Sequence, residues 1–452
     1  MDHAIKLEQP WPSPPRWPVV GHVPALMSRG LIDFLLDSWR EYGDCFELRV
    51  GNHSIKVIAH PDDVEAMLLT RRDRYCKGHA YDQFRQLVGE GLVTAEGEHW
   101  RRERRLIQPS FNRETIATFG ERMVAQTDVM LDRWTTGVFD VHTELMHLAL
   151  EIIGDCLFGL EFGEDRASIS TRAFTEAMEV IAARTTALAV PPRWLPTPGN
   201  RRLARAIAAL DRVVAGVIAS RRRSGEDRDD LLGALLRARD EHGQPIDEGQ
   251  LRDEVLTMFL AGHETTAVAL SWTLYLLARH DEVRARTVAE IDAVLDGRRP
   301  TAADLPQLGY LGQVFHESMR VIPPVWSGAR NCVAHDTLGA GFPVAPGDRV
   351  LNLILLTHMH PEFWPEPERF DPERFSPQAC ASRHKFAYMP FSEGPRKCVG
   401  LHFATMEAQL VLARMLQRGE LRIADGFEPE PDYQLTLRPK HGIRALWRPR
   451  SR

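Results

Sequence analysis

The most informative stretch of the sequence reads Phe391-Ser392-Glu393-Gly394-Pro395-Arg396-Lys397-Cys398-Val399-Gly400. Cys398 follows two cations, and the glycines on either side let the backbone come close to its sulfur. The apolar run 401–416 predicts a helix whose first amide groups face that sulfur. Cations and helix amides both favour the ionised form of a thiol. The stretch therefore predicts a thiolate that is ready to bind a metal.

Two interpretations of Cys398 remain open at this point. One is a single cysteine ligand to a metal, and haem iron is one centre that accepts such a ligand. The other is an inert, buried cysteine, because free cysteines are commonly buried. The remaining cysteines show no paired spacing of a disulfide framework or a zinc site, and they lie at 45, 76, 156, 332 and 380. We therefore expect a reducing, cytoplasmic environment.

Composition describes an ordinary globular protein. Of the 452 residues, 44% are hydrophobic and 26% are charged, and a net charge of -6 gives no reason to expect nucleic-acid binding. The sequence shows no signal peptide, and its longest apolar stretch, 255–278, carries His263 and Glu264 at its centre, which argues against a membrane anchor. We expect a monomer with one mainly α domain over residues 1–452, in which residues 1–22 form an extended, proline-rich lead-in.

Periodicity predicts where the main elements lie. Apolar residues at helical spacing cover 31–42, 98–107, 113–134, 143–160, 173–187 and 201–223. Two alternating runs, 46–50 and 54–59, flank Gly51 and Asn52 and predict a small β-hairpin. Four prolines within 191–200 predict a surface loop between two helices, over an opening.

A long central helix is predicted from Asp247, which resembles a helix cap together with Gln250, to about residue 278. Its middle reads Ala261-Gly262-His263-Glu264-Thr265-Thr266, where a core helix would prefer leucine. The Thr265 hydroxyl can compete for the Ala261 carbonyl four residues earlier, which predicts a bend with a polar notch. The alternative is a straight helix with one satisfied polar patch.

Two tempting motifs can be excluded. His263-Glu264 and His316-Glu317 begin like the H-E-x-x-H zinc motif, but the fifth positions are Ala267 and Arg320. The stretch that begins at Gly89 lacks the last glycine of a dinucleotide-binding loop, so electrons for any redox reaction must come from a separate protein.

Two of these stretches resemble motifs of the cytochromes P450. Phe391, Gly394, Arg396, Cys398 and Gly400 reproduce the family's F-x-x-G-x-R-x-C-x-G haem loop, although Ser392 stands where many members have glycine. The central helix resembles the family's A-G-x-[DE]-T-T segment. The resemblance implies a mainly α fold with small β-sheets, in which a long central helix lies over a buried haem b with Cys398 as axial ligand. It also implies that Ala261 and Gly262 lie close to the haem, and that Glu264 and Thr265 guide protons to bound oxygen.

Further residues are matched only through this resemblance. Glu317 and Arg320 match the family's E-x-x-R motif, whose third member is an arginine from a P-E-R-F tetrad. We favour Arg374 for that position, with Arg369 in reserve, and expect a structural role for the network. Contacts to the haem propionates are expected from Trp100, Arg104, Arg330 and Arg396, and less from His99.

The implied activity is monooxygenation of a lipophilic small molecule by O2, with electrons from an external ferredoxin or flavodoxin and its NAD(P)H reductase. Arginines 101, 102 and 105, with Lys397 and Lys385, are candidates for a positive surface that an acidic partner would contact. The alternatives are a peroxide-dependent or isomerising haem-thiolate enzyme and a non-catalytic haem-thiolate sensor.

The substrate pocket is expected from four residues that match family positions, Val88, Val325, Trp326 and Leu435. We favour a terpenoid or similar lipophile. Related fatty-acid hydroxylases carry an arginine-tyrosine anchor on the first hairpin, where this chain has Asn52 and Lys56. A fatty acid therefore stays an alternative, through Lys56.

Overall fold

Helical periodicity over most of the chain produces a mainly α structure with small sheets, as predicted. The computed structural model describes residues 9–51, 53–134, 137–160, 163–187, 190–228, 230–239 and 243–450. Asn52, a turn and anchor candidate, and residues 1–8 of the lead-in lie outside these ranges. The described part of the lead-in contains no helix, and Trp11 is anchored through its Nε1, which donates to the Pro343 carbonyl at 2.7 Å.

The described residues form seventeen α-helices. Their bounds are α1 (Val23–Arg29), α2 (Leu31–Tyr42), α3 (Pro61–Glu65), α4 (Asp82–Val88), α5 (Gly97–Ile107), α6 (Arg113–Ala117), α7 (Gly120–Arg133), α8 (Val141–Phe158), α9 (Gly163–Thr186), α10 (Pro198–Ser224), α11 (Leu231–Arg237), α12 (Glu248–Arg279), α13 (Asp281–Leu295), α14 (Gly309–Val321), α15 (Ile354–Thr357), α16 (Pro377–Ala381) and α17 (Leu401–Arg418). None of them combines the length and the apolar character that crossing a bilayer requires.

The strands of the described chain form four small sheets. Their bounds are β1 (Cys45–Val50), β2 (His53–Ile58), β3 (Tyr75–Cys76), β4 (Val138–Asp140), β5 (Gly328–Cys332), β6 (Asp336–Leu338), β7 (Phe342–Val344), β8 (Arg349–Asn352), β9 (Gly419–Ile423), β10 (Pro431–Tyr433), β11 (Leu437–Pro439) and β12 (Arg444–Pro449). The largest sheet has the order β1-β2-β8-β5-β3, and the others are β4-β12-β9, β6-β7 and β10-β11. The predicted hairpin is confirmed as β1 and β2, which pair antiparallel from Cys45 opposite Ile58 to Val50 opposite His53.

One prediction is wrong, because a single predicted helix is divided into two helices in the structure. Periodicity predicts a single helix over 113–134, but α6 ends at Ala117 and α7 begins at Gly120. Thr118 donates its hydroxyl to the Thr115 carbonyl at 2.7 Å, and Phe119 turns inward to meet Phe403 edge-on, with ring centroids 6.2 Å apart. Threonine side chains near the break weaken the helix, and burial of a phenylalanine decides where it stops.

The long helix α12 crosses the core, where it packs against α8, α14 and α17. Its 32 residues span roughly 48 Å at the usual rise per residue. Asp247 caps it as predicted, because its Oδ1 accepts the amide of Gly249 at 2.8 Å and that of Gln250 at 3.4 Å. Gly262 lets α8 come close, since a Cβ at this position would collide with Ile153.

The start of α12 also holds the segment that follows α4. Asp253 Oδ2 accepts the Glu90 amide at 2.9 Å, and Glu254 Oε2 accepts the Leu92 amide at 3.2 Å. Gln250 donates to the other oxygen of Glu254 at 2.9 Å. The loop after α4 is therefore attached to α12 by carboxyl groups, one of which is fully buried.

Glu254→Gln should stabilise the protein most at alkaline pH. Burial, assisted by Glu103 and Asp253, raises the pKa of Glu254 to about 8, against roughly 4.3 in an unfolded chain. The folded state thus keeps a proton that the unfolded state has lost, so the free energy of unfolding falls as pH rises through this window. Glutamine keeps the acceptor for the Leu92 amide without the charge, and should remove about 2–4 kcal/mol of this pH dependence.

Urea unfolding at about pH 5 and about pH 8 measures this effect. Glu248→Gln, at the exposed start of the same helix, is the control and should leave the pH dependence unchanged. Equal pH dependence in the Glu254→Gln variant and the parent protein would contradict the prediction.

Candidate active site

The loop around Cys398 is closed by backbone contacts. The Cys398 amide donates to the Phe391 carbonyl at 2.9 Å, directly before α17 begins. Gly394 has a φ of 73°, and a Cβ there would collide with the Leu68 carbonyl oxygen, so only glycine fits. Ser392 also adopts a left-handed φ of 57°, which is unfavourable for a residue with a side chain. Glycine at position 392, as at position 394, would therefore form this backbone more easily.

The surroundings of Cys398 contain influences that the sequence predicts, together with one that opposes them. Its side chain is exposed, yet enough protein surrounds the sulfur that burial raises the pKa of the thiol above its ordinary value. The Gly400 amide and Lys397 oppose that shift, as predicted, and Arg104 adds a further positive charge. Burial outweighs these influences in the chain by itself, so the net direction of the shift is upward.

One face of α12 is open in the middle of the helix. Ala261 is exposed and Thr265 half-buried, whereas the six residues before Ala261 are all buried. The Thr265 hydroxyl donates to the Ala261 carbonyl at 2.6 Å, the contact expected from the spacing, and the helix continues through it without a break. The small side chain of Ala261 borders the open space, whereas the missing side chain at Gly262 serves the packing of α8.

Glu264 points toward the hairpin β10–β11. Its Oε1 accepts the Thr436 hydroxyl at 2.6 Å, and both side chains are buried. Burial raises the pKa of Glu264, while Thr436 and then Arg438 lower it. The sequence does not reveal that Thr436 pairs with Glu264, because the two residues lie 172 positions apart and no motif joins them.

The hairpin is itself held in place from two sides. Trp272 of α12 donates its Nε1 to the Leu437 carbonyl at 2.7 Å, and Trp326 donates to the Gln434 carbonyl at 2.8 Å. The Leu437 amide donates to the Pro324 carbonyl at 2.8 Å. These contacts fix the position of Thr436 relative to α12.

Cations gather on the other side of the Cys398 loop. The Arg396 guanidinium lies 4.0 Å from the Trp100 ring centroid and donates to the Ala95 carbonyl at 2.8 Å and to Glu96 at 3.1 Å. Burial lowers the pKa of Arg396 to about 10, and Glu96 opposes this shift while Arg330 adds to it. Trp100, Arg330 and Arg396 are thus brought together as the sequence-based list suggests.

Lys77 and Arg104 complete this region. Lys77, which no motif identifies, is buried and donates its Nζ to the Val93 carbonyl. Burial lowers the pKa of Lys77, and repulsion from Arg396 and Arg330 lowers it further. Arg104 instead donates to the Lys397 carbonyl at 2.8 Å, beside the thiol. His99 Nε2 contacts the Glu90 carbonyl at 3.0 Å, away from this group.

Behind the loop, Glu317 and Arg320 form a fully buried pair. Two hydrogen bonds join them, at 2.7 and 2.8 Å, and Arg320 also donates to the His358 and Arg369 carbonyls. The Arg374 Nε lies 3.5 Å from Glu317. The Arg369 side chain is 64% exposed and faces Glu366, so the structure places Arg374, rather than Arg369, at the third position.

The pocket candidates separate into two groups. Val325 and Leu435 are partly buried, whereas Val88 is fully buried in the core and Trp326 is 7% exposed. The assignment of Val88 to the pocket stays a prediction, because in this conformation its side chain is enclosed by the core. Lys56 is paired with Glu47 at 3.0 Å and lies over the Trp11 ring, so it is not a free anchor for an anion.

The surface cations near the loop are partly neutralised. Arg101 pairs with Glu98, and Arg102 lies 3.3 Å from Glu103. Glu393 binds both Lys397, at 2.7 Å, and Lys385, at 3.2 Å. The positive surface predicted from the sequence is thus weaker than its arginine and lysine count indicates.

A separate group of possible metal ligands is satisfied by hydrogen bonds. Within the described ranges, His60, His360 and Glu362 have ligand atoms within 4.8 Å of one another. Each histidine already accepts a backbone amide at Nδ1, from residues 62 and 362, at 3.2 and 3.3 Å. His360 Nε2 also faces Asp44 at 3.2 Å, so its two nitrogens are both engaged.

Comparison with known proteins identifies relatives over nearly the whole chain. The family model described as Cytochrome P450 matches residues 11–446. Cyclooctat-9-en-7-ol 5-monooxygenase of Streptomyces melanosporofaciens is 37% identical, over 93% of this chain and 92% of the relative. Pentalenene oxygenase of Streptomyces avermitilis is 35% identical, over 92% and 91%. The crystal structure of the cytochrome P450DA heme domain superposes with a TM-score of 0.89 at 28% identity, and covers 98% of each chain.

Thr436→Val should raise the pKa of Glu264 further, because it removes the hydroxyl that stabilises the carboxylate while burial is unchanged. Infrared difference spectra against a Glu264→Gln variant measure the pH at which the protonated carboxyl band disappears. Thr436→Ser keeps the donor and should behave like the parent protein. An identical midpoint in the valine variant would contradict this assignment.

Substitutions of the arginines at or near Glu317 should destabilise the protein more, the more deeply the replaced side chain is buried. Arg320→Met leaves Glu317 buried without its main partner and should cost about 3–5 kcal/mol in the free energy of unfolding. Arg374→Met should cost about 1–2 kcal/mol. Arg369→Met is the matched control and should change stability by less than about 0.5 kcal/mol. Urea unfolding tests the order, and equal effects at 374 and 369 would refute it.

Proposed function

The chain belongs to the cytochrome P450 family, and we propose that it binds haem b through Cys398 and inserts one oxygen atom from O2 into a lipophilic small molecule. The observation that carries this proposal is the pairing of two features. A single cysteine sits beside amide and cationic groups, and on α12 the half-buried alcohol Thr265 directly follows the buried acid Glu264.

The residues present fit a haem. Cys398 is exposed at the end of its loop, and Ala261 is exposed on a helix whose preceding residues are buried, so both residues are accessible to a ligand such as haem. Arg330 and Arg396 repel Lys77, Arg330 also repels Arg396, and Glu96 is a carboxylate that counteracts both effects. Two propionates would supply the missing negative charge. The Trp100 ring lies against the Arg396 guanidinium and would hold it in position.

Haem bound in this way would supply the iron at which dioxygen is activated. The Gly400 amide stabilises negative charge on the Cys398 sulfur and so tunes its electron donation. Arg104 adds a positive charge on the same side and is held by the Lys397 carbonyl.

Glu264 and Thr265 would handle protons on the opposite side. Because the Thr265 hydroxyl donates to the Ala261 carbonyl, its oxygen lone pairs remain free to accept a hydrogen bond from the open space. Burial favours the protonated form of Glu264, and the Thr436 contact keeps an ionised form accessible. Glu264 can therefore both hold a proton at its carboxyl and release it.

A terpenoid is the favoured substrate class. Two relatives that cover nearly the whole chain are named for the oxygenation of cyclooctat-9-en-7-ol and pentalenene. The half-buried Val325 and Leu435 offer apolar surface to such a molecule. The Lys56 route to a fatty acid loses its support, because Glu47 already neutralises that lysine.

Electrons would come from a ferredoxin or flavodoxin with its NAD(P)H reductase, since the sequence contains no complete nucleotide-binding motif. A cytoplasmic location and a monomeric, single-domain state stay predictions from the sequence. A peroxide-dependent or isomerising enzyme and a haem-thiolate sensor stay alternatives. Glu264 and Thr265 favour the monooxygenase over both, because neither alternative needs proton delivery to dioxygen.

A carbon monoxide difference spectrum of the reduced protein tests the ligand assignment. The parent protein should give the band typical of thiolate-ligated haem, and Cys398→Ser should lose it. Cys380→Ser removes an exposed cysteine and serves as the control that keeps the band. Retention of the band in Cys398→Ser would overturn the assignment of the ligand.

Turnover with surrogate electron-transfer proteins then separates the oxygenase from the sensor. Thr265→Ala should divert NADPH consumption toward hydrogen peroxide, because proton delivery becomes less efficient. Thr265→Ser keeps the hydroxyl and should retain most of the coupling. An unchanged share of peroxide in Thr265→Ala would contradict the role proposed for this residue.

A further inference from the structure

Buried cations in this protein are, as a rule, neutralised by a carboxylate. Six lysines and arginines are buried in the part of the chain that the structure describes: Lys56, Lys77, Arg184, Arg221, Arg320 and Arg414. Four of them form short ion pairs: Lys56 with Glu47 at 3.0 Å, Arg221 with Asp230 at 2.6 Å, Arg320 with Glu317 at 2.7 Å and Arg414 with Asp128 at 2.6 Å. This leaves Lys77 and Arg184.

Lys77 is explained by the site already described. It lies with Arg330 and Arg396, where Glu96 supplies partial compensation and the haem propionates would supply the rest. A buried cation without its own ion pair can likewise be neutralised by an anion from outside the chain.

Arg184, near the end of α9, has no such explanation. It is 8% exposed, and its guanidinium donates to two neutral amide oxygens, Gln86 Oε1 of α4 at 2.5 Å and Asn200 Oδ1 of α10. Its guanidinium forms no ion pair with a carboxylate of the described chain, and Arg193 places a second positive charge in its surroundings. The sequence from 180 to 210 contains five arginines and neither aspartate nor glutamate.

The two amides hold the guanidinium in a defined orientation. Asn200 donates its Nδ2 to the carbonyls of Pro192 and Leu195, at 2.8 and 2.6 Å, which keeps its Oδ1 directed at Arg184. Neutral oxygens satisfy individual N–H groups, but they leave the net charge uncompensated in a partly desolvated position. An arginine fork held in this way is suited to a carboxylate.

The helix that carries Arg184 also contacts a residue next to the Glu264 site. Glu179, five residues earlier on α9, lies 3.5 Å from Arg438, which adjoins the Thr436 contact to Glu264. The partner Gln86 is on α4, whose following loop is attached to α12. The connection between α9 and α10 also exposes Trp194, by 81%, so apolar surface lies on the same segment as the cations.

We propose that Arg184 binds a carboxylate at one end of the lipophilic substrate, so that the substrate class is an amphiphilic acid. This inference rests on the proposed function, because it assigns the ligand of the same site. A terpenoid acid and a fatty acid share the required chemistry, and the experiment distinguishes them.

Calorimetric titration of the haem-loaded protein tests the proposal without turnover. The probes are dodecanoate and abietate, each compared with its methyl ester. The acid of the matching skeleton should bind at least about tenfold more tightly than its ester, as expected for a charge-assisted contact. Whichever pair shows this preference identifies the skeleton, and no preference in either pair would overturn the proposal.

Variants locate the preference at Arg184. Arg184→Gln should bind acid and ester equally, and Arg184→Lys should keep part of the preference. Arg172→Gln removes an exposed charge from the same helix and is the matched control, which should bind like the parent protein. Retention of the full preference in Arg184→Gln would refute the assignment.

Gln86→Glu provides an independent test in which Arg184 is retained. The new carboxylate would neutralise the guanidinium, so the preference for the acid should disappear while ester binding persists. An undiminished preference for the acid in this variant would count against the proposal. Because binding is measured by heat, failure of the Arg184 proposal is distinct from failure of the oxygenase function, which the carbon monoxide spectrum and the peroxide yield report.

Discussion

The burial of polar groups in the middle of α12 is the constraint on which the rest of the structure depends. A helix that crosses the core places its central residues in a medium where an unpaired carboxyl is costly. Thr436 supplies the partner of Glu264 from the far end of the chain, and Ile153 fills the space that Gly262 leaves. The open face that remains, with Ala261 and Thr265, is the part of the helix that is free for chemistry.

The hairpin β10–β11 shows how this constraint organises distant segments. A hydroxyl can hold Glu264 only if the hairpin has one position relative to the helix. Trp272 and Trp326 provide that position through hydrogen bonds to backbone carbonyls of the hairpin. Two large aromatic residues that would otherwise count as core packing therefore also position the site.

The buried charged side chains follow a second rule. Where cation and carboxylate both come from the chain, as in Glu317 and Arg320, the pair is closed and supports the loop from behind. Where cations gather without enough carboxylates, as around Lys77 and at Arg184, the chain has left charge uncompensated. Because an isolated buried charge is destabilising, such places are informative about the ligands that the folded protein accepts.

The sequence by itself determined what depends on neighbours along the chain. Spacings of two to four residues predict most of the helices and the cap at Asp247. They also predict the contact between Thr265 and Ala261 and the pairing of Glu317 with Arg320. Motif spacing likewise identified the Cys398 loop and the family. Only the tertiary structure showed that Thr436 is the partner of Glu264 and which cations surround Arg396. It also decided that Arg374, and not Arg369, approaches Glu317, and that the pKa of Cys398 shifts upward. Each of these depends on desolvation or on contacts between segments far apart in sequence, and such effects are summed over atoms that only the folded chain brings together.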